Sequence, residues 1–206
     1  MKFENTEIFN FEGAIRGMRN PLNSWKKSDS YWGASGRYII GDNDMNLAQR
    51  LIKGGSEHRK FLRQIMVCVD ITAPLYWWKE FDTYKVGTTA NSTSTMHKLK
   101  DTPITLECFE IGDYKESKFI ENSLIPYLED LRIQYQETKD KSYWKELVRW
   151  LPNGWLQTRT VTLNYENIYS MIHQRNTHKL TEWSKDFITW AESLPYAKEL
   201  LFLDLI

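Results

Sequence analysis

The stretch QIMVCVDITAPLYWWKEFDTYKVGTTANSTS, residues 64–94, contains three successive patterns. QIMVCVDI is an apolar run of strand length, rich in branched residues, and it predicts a buried strand. TAPLYWWKEFDTY carries Pro74 near its start, where the first turn of a helix tolerates proline, and it predicts a helix with an aromatic face. VGTTANSTS lacks helix formers and favours a strand or a strand-edge loop. We expect the aromatic face to pack into a core or a subunit interface.

The third pattern and Thr95 directly after it hold six hydroxyl side chains in the eight positions from Thr88 to Thr95, with Asn91 among them. Two interpretations remain open at this level. The hydroxyls can satisfy a turn or an interface within the protein. They can equally donate hydrogen bonds to the phosphate or sugar oxygens of a ligand.

Further elements are predicted on both sides of this stretch from the period of the apolar residues and from Gly and Pro stop signals. They are a helix from Asn43 to Gly54, two helices within 125–151 broken near 139–142, a strand at 156–164, and helices at 165–179 and 181–195. Helices that alternate with a few strands predict a mixed α/β class, with helices packed on a small sheet. We expect one domain, residues 1–206, with residues 1–42 as an irregular N-terminal arm.

Composition narrows the functional classes. The 27 basic and 27 acidic side chains cancel, so net charge gives no indication of a nucleic-acid or membrane partner. The N-terminus lacks the pattern of a secretory signal, and Cys68 and Cys108 have no partners at zinc-site spacing. His173 and His178 have no metal-ligand motif around them either. We therefore expect a cytoplasmic protein without a metal site.

Three segments occur in the order and spacing found in one enzyme family. They are SEHRKF at 56–61, YKVGTTANSTSTMH at 84–97, and VRWLPNGWLQTRTVTLNYENIYSMIHQR at 148–175. Together they resemble the flavin-dependent thymidylate synthases over residues 56–190. The resemblance implies the mixed α/β fold of that family, a homotetramer with sites built between subunits, and a pyrimidine nucleotide as ligand.

Individual positions match the signature of the family. Glu57 and His58 match an early Glu-His pair, and Leu151-Pro152 matches a later Leu-Pro. The resemblance implies Arg175 and Ser94 as catalytic residues. It also implies cofactor-binding roles for His58, Lys85, Thr89, Asn91 and Asn164, and substrate-binding roles for Ser94, Thr95, Arg149 and Arg175.

This sequence departs from the family signature at positions where the family has positively charged residues. Tyr84-Lys85-Val86 stands where the family has Arg-His-Arg, Met96 stands at a further arginine position, and Glu166 replaces another arginine. Each charge-assisted hydrogen bond contributes about 1.5–3 kcal/mol, so two uncompensated losses weaken ligand binding by roughly 3–6 kcal/mol. Lys85 and the neighbouring hydroxyls can compensate in part.

Two functions are consistent with this pattern. The first is C5 methyl or one-carbon transfer to a deoxyuridine-type nucleotide (dUMP), with FAD as cofactor and NADPH and methylene-tetrahydrofolate as co-substrates. In such a methyltransferase, a guanidinium at Arg175 would polarise the uracil ring. The second is a non-catalytic protein that binds or sequesters a nucleotide on the same fold.

Overall fold

The computed structural model describes residues 1–203 and 205, and it has the mixed α/β class expected. The strands are β1 (Lys2–Phe9), β2 (Tyr31–Trp32), β3 (Tyr38–Ile39), β4 (Met66–Pro74), β5 (Thr89–Ser92) and β6 (Leu156–Asn164). The α-helices are α1 (Phe11–Met18), α2 (Asp42–Lys53), α3 (Leu75–Phe81), α4 (Thr95–Lys98), α5 (Tyr114–Phe119), α6 (Ile125–Thr138), α7 (Lys141–Trp150), α8 (Tyr165–Arg175), α9 (Ile188–Glu192) and α10 (Ala197–Leu200). Among the described residues, no helix is both long and apolar enough to cross a membrane.

A four-stranded sheet has the strand order β1-β4-β6-β5. Alternate residues of β4 are buried, as the period of two in a strand requires. β2 and β3 form a separate antiparallel ribbon, in which Tyr31 pairs with Ile39 and Trp32 pairs with Tyr38. The ribbon therefore presents two aromatic side chains at directly opposed positions.

The predicted elements around the opening stretch are confirmed. β4, α3 and β5 follow one another as the three patterns predicted, and β6 spans residues 156–164. Lys139, with φ of 59°, separates α6 from α7 where the break was expected. The predicted helix at 165–179 ends earlier, at Arg175.

The N-terminal region is more regular than an irregular arm, because β1 and α1 occupy residues 2–18. α1 buries Ala14, Ile15 and Met18. Gly13 and Gly17 are poor helix formers and obscured this helix in the sequence. The packing of its buried face outweighs that local preference.

Close packing defines two compact units in the chain. The first comprises Met1–Lys2, Ile71–Thr83 and Asn91–Thr160, and the second comprises Phe3–Asp70, Tyr84–Ala90 and Val161–Ile206. The first unit contains an apolar cluster formed by Leu99, Ile104, Phe109, Ile120, Leu128, Leu131 and Leu147. The expectation of a single domain, which came from chain length, stays a prediction.

Trp77 and Trp78 belong to the core of the first unit. Their exposed fractions are 0% and 1%, and their rings lie 4.9 Å apart and edge to face. Of the two alternatives expected for the aromatic face of α3, a core or a subunit interface, the burial of both rings within the chain supports the core. Trp150 on α7 is 56% exposed.

The second unit holds a buried ion pair between α2 and the end of α1. Arg19 and Asp44 are 4% and 0% exposed, and Arg19 Nε donates to Asp44 Oδ1 over 2.5 Å. Ser28 and Ser30 also donate their hydroxyls to Asp44. Burial raises the pKa of Asp44, but the hydrogen bonds from Ser28, Ser30 and Arg19 lower that pKa below its usual value.

Candidate functional site

Arg175 and Tyr84 lie together in the second unit. Arg175 Nε donates to the Tyr84 hydroxyl over 2.9 Å, and that hydroxyl donates to Gln174 Oε1 over 2.9 Å. The Arg175 guanidinium also lies 5.2 Å from the centre of the Trp183 ring, within the range of a cation–π contact. The arginine at the end of α8 is therefore held in a defined orientation by residues of its own chain.

The segment after Tyr84 lies against the beginning of α8. Asn164 and Asn167 form a reciprocal capping box, and Asn167 Nδ2 donates to the carbonyl of Val86 over 2.8 Å. Gly87 has φ of 78°, and a Cβ at this position would lie 2.8 Å from Asn164 Nδ2. Only glycine fits both this backbone conformation and this close approach.

Glu166, which replaces an arginine of the resembled family, forms an ion pair within the second unit. Arg59 Nε lies 2.9 Å from Glu166 Oε2, and its guanidinium lies 4.3 Å from the centre of the Tyr169 ring. Both members of the pair are largely buried, with exposed fractions of 17% and 12%. The carboxylate at this position thus joins α8 to the 3₁₀ helix Arg59–Gln64.

Lys85, Thr89 and Asn91 expose their side chains, whereas Thr88 is half-buried and donates its hydroxyl to the carbonyl of Tyr84. Within the part of the chain that the structure describes, Lys85 makes no ion pair. A cation and small hydrogen-bonding groups are accessible to solvent here. This is the donor set that phosphate and sugar oxygens require.

Ser94 and Thr95 lie in the first unit, at the start of α4. Ser94 Oγ accepts a hydrogen bond from the backbone N–H of His97 over 3.1 Å, and so it caps this short helix. Arg149 lies in the last turn of α7 and is exposed. The ligand-binding roles of these three residues stay predictions.

A network in the first unit supports the hydroxyl-rich stretch, and sequence reasoning missed it. Gln157 is 8% exposed, donates to the carbonyl of Thr93 over 2.9 Å and accepts from Arg159 Nε over 2.9 Å. Arg159 also bonds to Asp82 over 2.6 Å and lies 4.1 Å above the Trp78 ring. The only sequence signal was the spacing of two polar residues on one face of β6.

His58 is exposed and borders a cavity of about 560 Å³ in the second unit. Glu57, Lys60 and Phe61 line the same cavity, together with residues from α1 and α2. The Glu-His pair singled out in the sequence therefore lies at a cavity large enough for a small molecule. Its role in flavin binding stays a prediction.

Metal coordination has no candidate in the described residues, which contain no group of three or more His, Cys, Asp and Glu side chains able to hold an ion. Cys68 and Cys108 are half-buried free thiols.

Structural comparison identifies similar folds. Two crystal structures of the flavin-dependent thymidylate synthase ThyX from Helicobacter pylori, complexed with FAD and dUMP, match with TM-scores of 0.74. Each is 18% identical to this chain and covers 99% of it, and the matches include 99% and 98% of those chains. No protein-family model matches, and no curated protein sequence matches at a significant level. This likeness shows that the chain has the fold of these proteins.

Proposed function

We propose that this protein binds a deoxyuridine-type pyrimidine nucleotide at a site that includes Arg175. The observation that carries the proposal is the fixed guanidinium: Arg175 lies at the end of α8, and Tyr84 and Trp183 orient it. A guanidinium has five N–H donors in a planar fork, a geometry suited to a ring carbonyl or a phosphate. The ThyX structures of the same fold contain dUMP.

The candidate reaction is C5 methyl or one-carbon transfer. A guanidinium beside a uracil carbonyl stabilises negative charge there and so assists reaction at C5. Bound reduced flavin would supply the hydride, with NADPH as its reductant and methylene-tetrahydrofolate as the carbon donor. The contribution of the protein would be to bind, orient and polarise the nucleotide.

The candidate FAD-binding residues include side chains of the chemical types that bind phosphate. In the second unit, Lys85 and Thr89 are exposed and can donate to phosphate oxygens, and His58 borders a cavity. Asn164 is buried and its side chain caps α8, and Asn91 is exposed in the first unit. This set provides one fixed positive charge from lysine in place of the two arginines of the family signature. We therefore expect FAD binding that is weaker than a paired-arginine site would give, by about 3–6 kcal/mol if nothing else compensates.

A second candidate function is nucleotide binding without catalysis. It is favoured by Tyr84 and Glu166, which replace arginines of the family signature and form bonds within the chain. Both functions share the nucleotide site, and they differ in whether flavin is needed. We further propose the homotetramer that the resemblance implies, which light scattering of the purified protein would test.

The test of nucleotide binding is a calorimetric titration of the purified protein with dUMP and with 2-deoxyribose 5-phosphate, which lacks the base. We expect dUMP to bind and the sugar phosphate to bind at least tenfold more weakly. Equal affinities, or no binding of either compound, would contradict base recognition. An absorbance spectrum with added FAD separates the two functions, because a bound-flavin band is required for transfer and absent from a purely nucleotide-binding protein.

A further inference from the structure

A second cavity lies in the second unit, and none of the residues proposed above for nucleotide and flavin binding lines it. It is bordered by the junction of β1 with α1, the β2–β3 ribbon and the segment before α10, and its volume is about 680 Å³. Small-molecule sites commonly have volumes of roughly 300–1,000 Å³. Aromatic side chains from all three places line it: Phe11, Trp32, Tyr38 and Tyr196.

The rings are held in place while part of their surface stays accessible. Trp32 Nε1 donates to Glu12 Oε2 over 3.1 Å, and the Trp32 and Tyr38 rings meet edge to face at 5.4 Å. Phe11 and Tyr196 meet in the same way at 5.6 Å. Trp32 nevertheless remains 59% exposed. A ring that is fixed and exposed offers a preformed surface on which a planar group can stack.

Tyr196 occupies its place in the wall with an unusual backbone conformation. Its φ is 57°, which is rare for a bulky residue. The Tyr196 hydroxyl accepts from the backbone N–H of Ile40 over 3.1 Å and donates to the carbonyl of Tyr38 over 3.0 Å. These two bonds tie the segment before α10 to β3. Backbone strain that the surroundings maintain is concentrated at functional sites in proteins.

The charged residue that lines the cavity is an arginine. Arg37 lines it, is exposed, and follows Gly36, whose φ of 72° turns the ribbon. Arg37 forms no ion pair with any residue of the described part of the chain. The nearby carboxylate, Glu12, is bonded to Trp32. An exposed arginine beside accessible rings is suited to an anionic group attached to a planar ring.

We propose that this cavity binds a small molecule that combines a planar aromatic ring with one anionic group. The ring lies against Trp32 and the anion pairs with Arg37. Phosphate and carboxylate satisfy the same requirement, so a nucleoside monophosphate and an aromatic carboxylate are the two sources to compare. This site is independent of the nucleotide site at Arg175.

Calorimetric titrations of the full chain with four probes test the proposal. Adenosine monophosphate and 2-naphthoate carry both features, adenosine carries only the ring, and inorganic phosphate carries only the anion. We expect at least one of the first two to bind, and adenosine and inorganic phosphate each to bind about tenfold or more weakly than it. Binding of inorganic phosphate alone, or of none of the four, would overturn the proposal. Which of the first two binds more tightly shows which of the two sources the cavity prefers.

Variants locate the binding. Arg37→Gln and Trp32→Ala should each raise the dissociation constant about tenfold, and Trp32→Phe should restore most of the affinity because it keeps a ring. Arg63→Gln and Trp150→Ala change exposed residues outside the cavity and serve as matched controls. Affinity unchanged in both cavity variants would overturn the assignment to this cavity.

The same titrations in the Arg175→Gln variant separate this inference from the proposed function. We expect an unchanged dissociation constant for the cavity ligand there. A ligand that loses affinity in Arg175→Gln and keeps it in Arg37→Gln binds the other site, and the inference fails. Loss of dUMP binding alone concerns only the proposed function.

Discussion

Two segments that are adjacent in the sequence differ in whether they are bonded to the rest of the protein or exposed to solvent. The anchored segment, residues 84–88, is bound to its own unit through Tyr84, the carbonyl of Val86, Gly87 and Thr88. The exposed stretch, residues 89–93, directs its hydroxyl and amide side chains toward solvent. Both stand where the resembled family has its arginine-rich signature.

The contrast concerns which side chains are used within the chain. In the anchored segment, Tyr84 stands where the resemblance places an arginine, and its hydroxyl accepts a hydrogen bond from Arg175. In the exposed stretch, the hydroxyl and amide side chains are accessible to solvent. We infer that the anchored segment supports Arg175, whereas the exposed stretch contributes little to stability.

The largest effect should come from breaking the anchor at Gly87. Gly87→Ala introduces a Cβ 2.8 Å from Asn164 Nδ2 at a φ of 78°. We expect the free energy of unfolding to fall by about 2–4 kcal/mol, from backbone strain and overlap together. Urea denaturation measures it. Gly36→Ala is the matched control, because its φ is 72° and nothing lies within 4 Å of the added Cβ. An equal loss of unfolding free energy in both variants would show that the close approach to Asn164 does not contribute to the effect.

Removing one hydroxyl should have the next largest effect. Tyr84→Phe deletes the oxygen that accepts from Arg175 and donates to Gln174. Two hydrogen bonds of ordinary net strength correspond to a loss of about 1–2 kcal/mol in unfolding free energy. Tyr31→Phe, at a tyrosine that is 60% exposed, should change it by less than about 0.5 kcal/mol. A Tyr84→Phe protein as stable as the wild type would show that the anchor does not depend on this hydroxyl.

Smaller effects are expected toward the end of the stretch. Ser94→Ala removes the cap of α4 and should destabilise the protein by about 1 kcal/mol. Thr89→Ala, at an exposed hydroxyl, should remain within about 0.5 kcal/mol of the wild type in unfolding free energy while weakening FAD binding. Thermal denaturation and titration of the same samples separate the two quantities. A large stability loss in Thr89→Ala would assign that hydroxyl a structural role.

The smallest effect is expected when the pH falls from 7 to 5. Asp44 lies outside both parts of the stretch, and its pKa in the folded protein is lowered from 3.8. A carboxyl whose folded pKa lies below its unfolded value stabilises the fold above the unfolded pKa, and loses this contribution as the pH falls through the folded pKa. Its contribution should therefore persist at pH 5, begin to fall near the unfolded pKa, and be lost only as the pH falls through the lower pKa of the folded protein. If the free energies of unfolding of the wild type and of Asp44→Asn changed in parallel over this acid range, the expected contribution of Asp44 would be contradicted.

The sequence was informative where local patterns coincide with tertiary packing. β6 and the start of α8 were predicted because a period-two pattern leads directly into Asn164, which caps the helix. The aromatic helix was also predicted, but its sequence left core and interface open, and the burial of Trp77 decided for the core. α1 was missed because two glycines weaken its helical pattern.

Much of the candidate site depends on contacts between distant positions, which a single sequence does not encode locally. Glu166 was visible as a departure from the family pattern, but its pairing with Arg59 spans 107 residues. The bond between Gln157 and Thr93 likewise joins β6 to a segment 64 residues earlier. Such pairs follow from the fold, so only the structure identifies the partners.

The central claim, that Arg175 recognises the base of a pyrimidine nucleotide, is tested most directly by titrating dUMP into Arg175→Gln. Charge-assisted hydrogen bonds of about 1.5–3 kcal/mol correspond to a loss in affinity of roughly 10- to 150-fold. We predict a loss in that range, with unchanged affinity in the Arg63→Gln control. Because the substitution also removes the hydrogen bond to Tyr84, the free energy of unfolding should fall by about 0.5–1.5 kcal/mol, and the titration is made where the variant is fully folded. Affinity for dUMP equal to that of the wild type would contradict the claim.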